Sequence, residues 1–264
     1  QVLIFIMRKI KVGIIGFGTI GSGVVKVLMT NGVTIRQRLG AELEVVKIAD
    51  LDIASDRGIK VDSNLLTMDA QEIIKNPDVD VVVELIGGYE PARSLIIQAI
   101  SAGKHVVTAN KALLALHGDE IFSACEDFQV SIGFEATVGG AIPIIRSIRE
   151  SFVANKIITI EGIVNGTANY ILSKMSDENY SFDLALKEAQ EKGFAEADPT
   201  FDIEGVDSAH KIAILTRLAY GTPVNFNDII IQGITGISVD DIECAREFGY
   251  RIKLLAISKF NGES

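Results

Sequence analysis

Cysteine is all but missing from this 264-residue chain: Cys125 and Cys244 are the only two, far apart and in no Cys-x-x-Cys pair or Cys/His cluster. That excludes a disulfide framework and a thiolate metal centre, and both read as reduced, buried small hydrophobes of a cytoplasmic protein. Basic charge is also scarce, with 25 Lys and Arg against 35 Asp and Glu, a formal net charge of −10. Nucleic-acid phosphates and anionic membrane surfaces both need clustered cations, so neither is expected as a partner. No low-complexity tract occurs, and 48% apolar with 23% charged residues is the composition of a folded soluble chain. The apolar start QVLIFI is too short for a membrane span or a secretory h-region, and its charges Arg8, Lys9 and Lys11 follow it instead of preceding it. Met7 reads as the natural start, with residues 1–6 as a non-native or upstream extension.

What is present in the first half is alternation. KIKVGIIG reads as a buried strand, TIGSGVVKVLMTN as a helix, LEVVKIAD as a second strand and DAQEIIKNP as a short helix. VDVVVELIGG, KHVVTAN and QVSIGF read as further strands, separated by the helices PARSLIIQAISAG and KALLALHGDEIFSACED. Continuous Val/Ile strands separated by helices imply a parallel sheet covered on both faces, an α/β domain of Rossmann type over residues 7–135. Strict alternation then ends. Helical patterns dominate, with NKIITIEGIVNG as one long strand, a helix from Glu204 to Tyr220, another in VDDIECAREFG, and RIKLLAISKF as a final strand. An α+β domain over 136–264 is expected, incomplete at its C-terminus because NGES follows straight after a strand.

Gly16-Phe17-Gly18-Thr19-Ile20-Gly21 fits G-x-G-x-x-G between a predicted strand and a predicted helix. There Gly16 permits the turn, Gly18 lets a pyrophosphate approach the backbone, Gly21 lets the helix pack on the strand, and the helix N-terminus attracts the anion. A tight turn without a ligand is the plainer reading. Asp50, at the end of the second strand, either binds ribose hydroxyls or caps the strand. A carboxylate there favours NAD, and nearby Arg57 keeps NADP open. Lys111 follows a strand at the carboxyl edge of the sheet, where ligands of such folds bind.

The stretch GFAEADPTFDIEGVDSAHK carries Glu196, Asp198, Asp202, Glu204 and Asp207 ahead of Lys211. Asp207 and Lys211 are four residues apart, about 40° apart on one helix face. A surface ion pair, worth about 0.3–0.5 kcal/mol, accounts for those two but not for the other acids. A divalent metal would have to accept Lys211 in its site, and His210 points about 100° away. A substrate with an ammonium group fits better, gripped by carboxylates while a lysine acts as general acid/base.

These residues resemble the homoserine dehydrogenases, enzymes that interconvert aspartate 4-semialdehyde and homoserine with NAD(P)(H). The family signature is matched by Ala189, Gly193-Phe194-Ala195, Asp198-Pro199, Asp202-Ile203, Gly205, Asp207 and Lys211, and the likeness extends to TANKALL, FEATVGGAIPI and IVNGTANYIL. The resemblance implies an NAD(P)-binding loop from Gly16 to Gly21 with Asp50 and Lys111. It implies proton exchange by Lys211, with Lys111 as a second catalytic or substrate-positioning lysine. Glu196 and Asp207 would bind the substrate amino group, supported by Asp202. It further implies a sodium ion held by Glu135 and the carbonyls of Val138, Gly140 and Ile142, a homodimer in the full-length protein, and a place in threonine, methionine and isoleucine biosynthesis. Two alternatives stand beside it: a dehydrogenase of another small amino or hydroxy acid, and a Rossmann-type nucleotide-sensing module without turnover. A sensor would need the glycine loop but not Glu196, Asp207 and Lys211 together.

Overall fold

A computed structural model describes residues 8–262, so the expected extension 1–6 and the start at Met7 lie outside the described residues. The chain divides into two units between Thr137 and Val138.

The first unit is built on β1 (Arg8–Ile15), whose run Val12–Ile15 is buried because both faces of a central parallel strand must be covered. After it come α1 (Thr19–Thr30), α2 (Gly32–Leu39), β2 (Ala41–Ala49), β3 (Leu66–Thr67), α3 (Gln71–Ile74) and β4 (Val81–Glu84). The unit closes with α4 (Ala92–Ser101), β5 (His105–Thr108), α5 (Lys111–Asp127) and β6 (Ile132–Gly133). All six strands are parallel in the order β3-β2-β1-β4-β5-β6, the Rossmann order, with the strand order reversing between β1 and β4. Val12, Ile14, Ile48 and Val83 from the strands pack with Phe17 and Val25 as a continuous apolar core. Full coverage fails at β5, where His105 and Val107 are exposed and Val106 and Thr108 buried, so one face of that strand is open. Helix α2 was not expected: GVTIRQRL has no buried residue and three β-branched residues, so its pattern carries no apolar stripe.

The second unit contains α6 (Ile144–Arg146), a π-helical turn at Ser147–Ser151, β7 (Thr159–Gly162), α7 (Gly166–Glu178), α8 (Phe182–Glu191) and α9 (Thr200–Ile203). It ends with α10 (Val206–Tyr220), α11 (Val239–Glu247) and β8 (Ala256–Lys259). β7 and β8 pair antiparallel, from Thr159 opposite Lys259 to Gly162 opposite Ala256. Ala168, Ile171, Leu172 and Met175 form the buried stripe of α7 and pack on Ala185 and Ala189 of α8, with Ile234 and Ile242 completing the core.

Three expectations need correcting in this unit. The long strands read in NKIITIEGIVNG and RIKLLAISKF pair only over the four residues each contributes to the two-stranded ladder. The helix expected from Glu204 starts instead at Val206, because Gly205, with φ +82°, separates it from the short α9 that precedes it. Cys244 is exposed, not buried; Cys125 is buried, and burial pushes its thiol pKa up. Among the described residues no helix is long and apolar enough to cross a membrane.

Candidate active site

The glycine loop turns from β1 into α1. Gly16 has φ +103° and donates its N–H to the Ala49 carbonyl at 2.8 Å; a Cβ there would sit 2.7 Å from the Leu85 carbonyl carbon. A Cβ on Gly21 would lie 1.9 Å from the Gly16 carbonyl oxygen, so helix and loop touch through bare backbone. Gly18 differs, since a Cβ there would meet nothing within 4 Å. Two glycines therefore serve the protein's own packing, and the middle one borders open space. Gly18 is also the N-cap of α1 and offers no capping side chain, and the first turn holds no acid, which leaves a helix N-terminus suited to an anion. Thr19 and Ile20 are exposed, whereas Phe17 is buried.

Asp50 reaches back into this loop. Its Oδ2 accepts the Phe17 N–H and its Oδ1 accepts the Asp52 N–H at 2.8 Å, so the carboxylate braces the glycine turn. Arg57 lies 3.0 Å from the Asp52 carboxylate and 4.0 Å from that of Asp50.

Lys111 is the first residue of α5. Asn110 caps that helix, its Oδ1 accepting the Leu113 N–H at 3.1 Å while its Nδ2 donates to the Gly88 carbonyl at 2.6 Å. Beneath lies Glu84, fully buried at the end of β4. Its carboxylate accepts the N–H groups of Ile86 (2.8 Å) and Gly87 (3.3 Å) and the Thr108 hydroxyl (2.7 Å), and Thr108 Oγ1 accepts the Asn110 N–H at 3.0 Å. Sequence reading passed over Glu84 as one residue of an apolar strand.

Of the four residues implied for sodium, Glu135 is exposed at the end of the first unit; Val138, Gly140 and Ile142 belong to the second. The Ile142 carbonyl accepts the Ile144 N–H at 2.8 Å. No group of three or more His, Cys, Asp or Glu able to hold a metal occurs among the described residues.

In the second unit the acidic segment separates into acids joined in one network with Lys211 and acids that bond outside it. Lys211 Nζ donates to Asp207 Oδ2 and to the Val164 carbonyl, both at 2.6 Å, leaving one N–H of the ammonium unused. The pair is far from a surface ion pair, with side-chain exposures of 16% for Lys211 and 5% for Asp207. Asn165 joins Asp207 to Asp202 by donating Nδ2–H groups to Asp207 Oδ2 at 2.8 Å and to Asp202 Oδ1 at 2.6 Å. Sequence reading missed Asn165, although an asparagine just before a helical run is a cap signal. Glu196 stands apart from this network on the exposed loop, where its backbone carbonyl accepts Gln190 Nε2 at 3.2 Å. Asp198 accepts the hydroxyl and N–H of Thr200, which hold its carboxyl below the usual range, and Glu204 accepts the Thr235 hydroxyl at 3.2 Å. His210 is buried with its ring 4.8 Å from that of Phe226.

Residues 16–135 match the family model described as the homoserine dehydrogenase NAD binding domain, and residues 143–262 match the homoserine dehydrogenase model. The homoserine dehydrogenase of Neisseria gonorrhoeae is 47% identical over 257 residues, 97% of this chain and 59% of that protein. Among solved structures, a homoserine dehydrogenase from Thiobacillus denitrificans aligns with a TM-score of 0.90 at 48% identity, over 96% of this chain and 58% of the other. A hyperthermophilic archaeal homoserine dehydrogenase in complex with NADPH aligns with a TM-score of 0.76 at 28% identity, over 88% of this chain and 76% of the other. The chain thus spans less than two thirds of the length of the Neisseria and Thiobacillus relatives.

Proposed function

Because the chain belongs to the homoserine dehydrogenase family, we propose that it interconverts L-homoserine and L-aspartate 4-semialdehyde with NAD(P)(H). The observation that carries this reading is the Asp202–Asn165–Asp207–Lys211 cluster, a half-buried ammonium held at two points with its third N–H unspent. A nucleotide sensor would account for the glycine loop and leave that cluster without a task.

Gly16–Gly21 at the start of α1 would hold the nicotinamide cofactor, which when bound would supply or accept the hydride exchanged with the terminal carbon of the substrate. The chain's own residues do the rest. Towards homoserine, Lys211 directs its unused N–H at the aldehyde oxygen, stabilises the negative charge that develops there, and delivers the proton. In the reverse direction neutral Lys211 receives the hydroxyl proton. Asp207 and the Val164 carbonyl orient Nζ for both. Glu196 binds the substrate ammonium with Asp202 in support; Asp207 contributes charge, its Oδ2 already shared by Lys211 and Asn165. Lys111, at the start of α5, positions cofactor or substrate. Either NAD or NADP is accommodated, Asp50 supporting the former and Arg57 the latter. Glu135 with the carbonyls of Val138, Gly140 and Ile142 would hold a sodium ion that stiffens the segment. The same reading carries with it a cytoplasmic homodimer acting on a small-molecule substrate in the route to threonine, methionine and isoleucine.

The test is oxidation of homoserine followed by NAD(P)H absorbance, with NAD+ and NADP+ compared side by side. Lys211→Ala is expected to lower turnover by at least about 100-fold, the scale of a general acid/base. Wild-type turnover in that variant would sink the assignment.

A further inference from the structure

Both N–H groups and the oxygen of the Asn165 amide are engaged. Oδ1 accepts the Ala168 N–H at 2.7 Å, which caps α7 and decides which end of the amide is oxygen. The nitrogen end must then face the acids, where its two N–H groups reach Asp202 and Asp207 at 2.6 and 2.8 Å. The residue is 4% exposed, so water cannot substitute freely for these partners. Two neighbouring carboxylates repel, and a donor between them relieves that repulsion. An amide does so without a positive charge that would compete with Lys211 for Asp207. The same residue also sets the second support of Lys211, since the Val164 carbonyl belongs to the peptide that ends at the Asn165 nitrogen. Both partners of Lys211 Nζ thus depend on where this one cap sits.

We propose that Asn165 is a positioning residue for Lys211: it fixes Asp207 through its amide and the Val164 carbonyl through its backbone, and so sets the direction of the ammonium. The proposal rests on the reading that Lys211 exchanges the substrate proton. It asks more of Asn165 than a helix cap, and the two roles separate by substitution. Serine caps helices as well as asparagine does, but it is too short to donate to Asp202 and Asp207. Alanine loses cap and donors together.

Asn165→Ser and Asn165→Ala are each compared with wild type for unfolding temperature, kcat, and KM for homoserine and NAD(P)+, at a temperature where circular dichroism shows both folded. In the same samples, acetylation of Lys211 by limiting acetic anhydride is measured by mass spectrometry relative to exposed lysines. For a misdirected acid/base, kcat is expected to fall by about 10- to 100-fold in both variants. Asn165→Ser should keep more of the unfolding temperature than Asn165→Ala, KM for NAD(P)+ should hold, and Lys211 labelling should change in both. A kcat for Asn165→Ser near wild type with loss only in Asn165→Ala reduces the residue to a cap and overturns the proposal. So does a fall in kcat with unchanged Lys211 labelling. If wild type fails to oxidise homoserine while labelling still responds to Asn165→Ser, the functional reading falls and the positioning of Lys211 stands.

Discussion

Replacing Gly21 and Gly18 by alanine, one at a time, separates what the glycine loop does for the fold from what it does for a ligand. At Gly21 the added carbon would sit 1.9 Å from the Gly16 carbonyl oxygen. A carbon–oxygen contact needs about 3.3 Å, so loop and helix must part by roughly 1.4 Å. The obstacle is backbone, which cannot rotate away, and overpacking of this kind costs about 3 kcal/mol, the upper end of its usual range. In a protein of this size that lowers the unfolding temperature by about 6–12 °C. At Gly18 the added carbon meets nothing within 4 Å and the backbone is extended, at φ −68° and ψ −159°, so Gly18→Ala should unfold within about 1–2 °C of wild type. Its methyl group nevertheless stands where a pyrophosphate must approach the α1 N-terminus. Loss of even one charge-assisted hydrogen bond, about 1.5–3 kcal/mol, weakens NAD(P)+ binding by roughly 10- to 100-fold. Differential scanning fluorimetry without cofactor and titration calorimetry with it read the two effects separately. The reasoning is refuted if Gly21→Ala keeps its unfolding temperature, or if Gly18→Ala binds cofactor as wild type does.

Two further outcomes follow from the second unit and from the cysteines. Glu188 is held by Lys192, by the Tyr170 hydroxyl (2.9 Å) and by Lys174 (3.3 Å), which together push its carboxyl down to about 2 from an ordinary 4.5. Its stabilisation is present in full above pH about 4.5 and is lost as the pH falls towards about 2. Glu188→Gln should therefore be less stable than wild type at neutral pH and converge with it in acid, as urea titrations at several pH values would show; a constant deficit contradicts the assignment. An aromatic disulfide reagent should titrate one thiol quickly in the native protein, exposed Cys244, and the second only on unfolding, because Cys125 is buried and its thiolate disfavoured. Two fast thiols would contradict the burial.

The Rossmann half was legible because five of its six strands lie in Val/Ile-rich runs bounded by helix patterns; β3, only Leu66–Thr67, was not read because two residues carry no period. Helix α2 escaped because its stability comes from its place after α1 and beside β2, not from a stripe of its own. The second unit was harder for a related reason: NKIITIEGIVNG has the composition of a strand throughout, yet its partner β8 offers only four residues, and beyond Gly162 the backbone serves Lys211 and the α7 cap instead. Asp202, Asp207 and Lys211 could be read from spacing and charge. Asn165 could not, since it lies 37 residues before Asp202 and is joined to it only by the fold. Cys244 was misread because small apolar character predicts burial on average and says nothing of which face of α11 a residue occupies.

The buried carboxylate of Glu84 and the hydroxyl of Thr108 face each other in the strand register as well as through their hydrogen bond. Removing Thr108 leaves a carboxylate oxygen short of a donor, and removing Glu84 leaves two loop N–H groups and a hydroxyl without their acceptor. Neither position can drift alone. In a set of diverging sequences the two should change together or not at all, and a covariation signal between them would be taken for ordinary strand pairing. What it would record is the inheritance of a loop shape: the turn after β4 and the start of α5 are passed on as one unit, through two side chains that do not reach solvent.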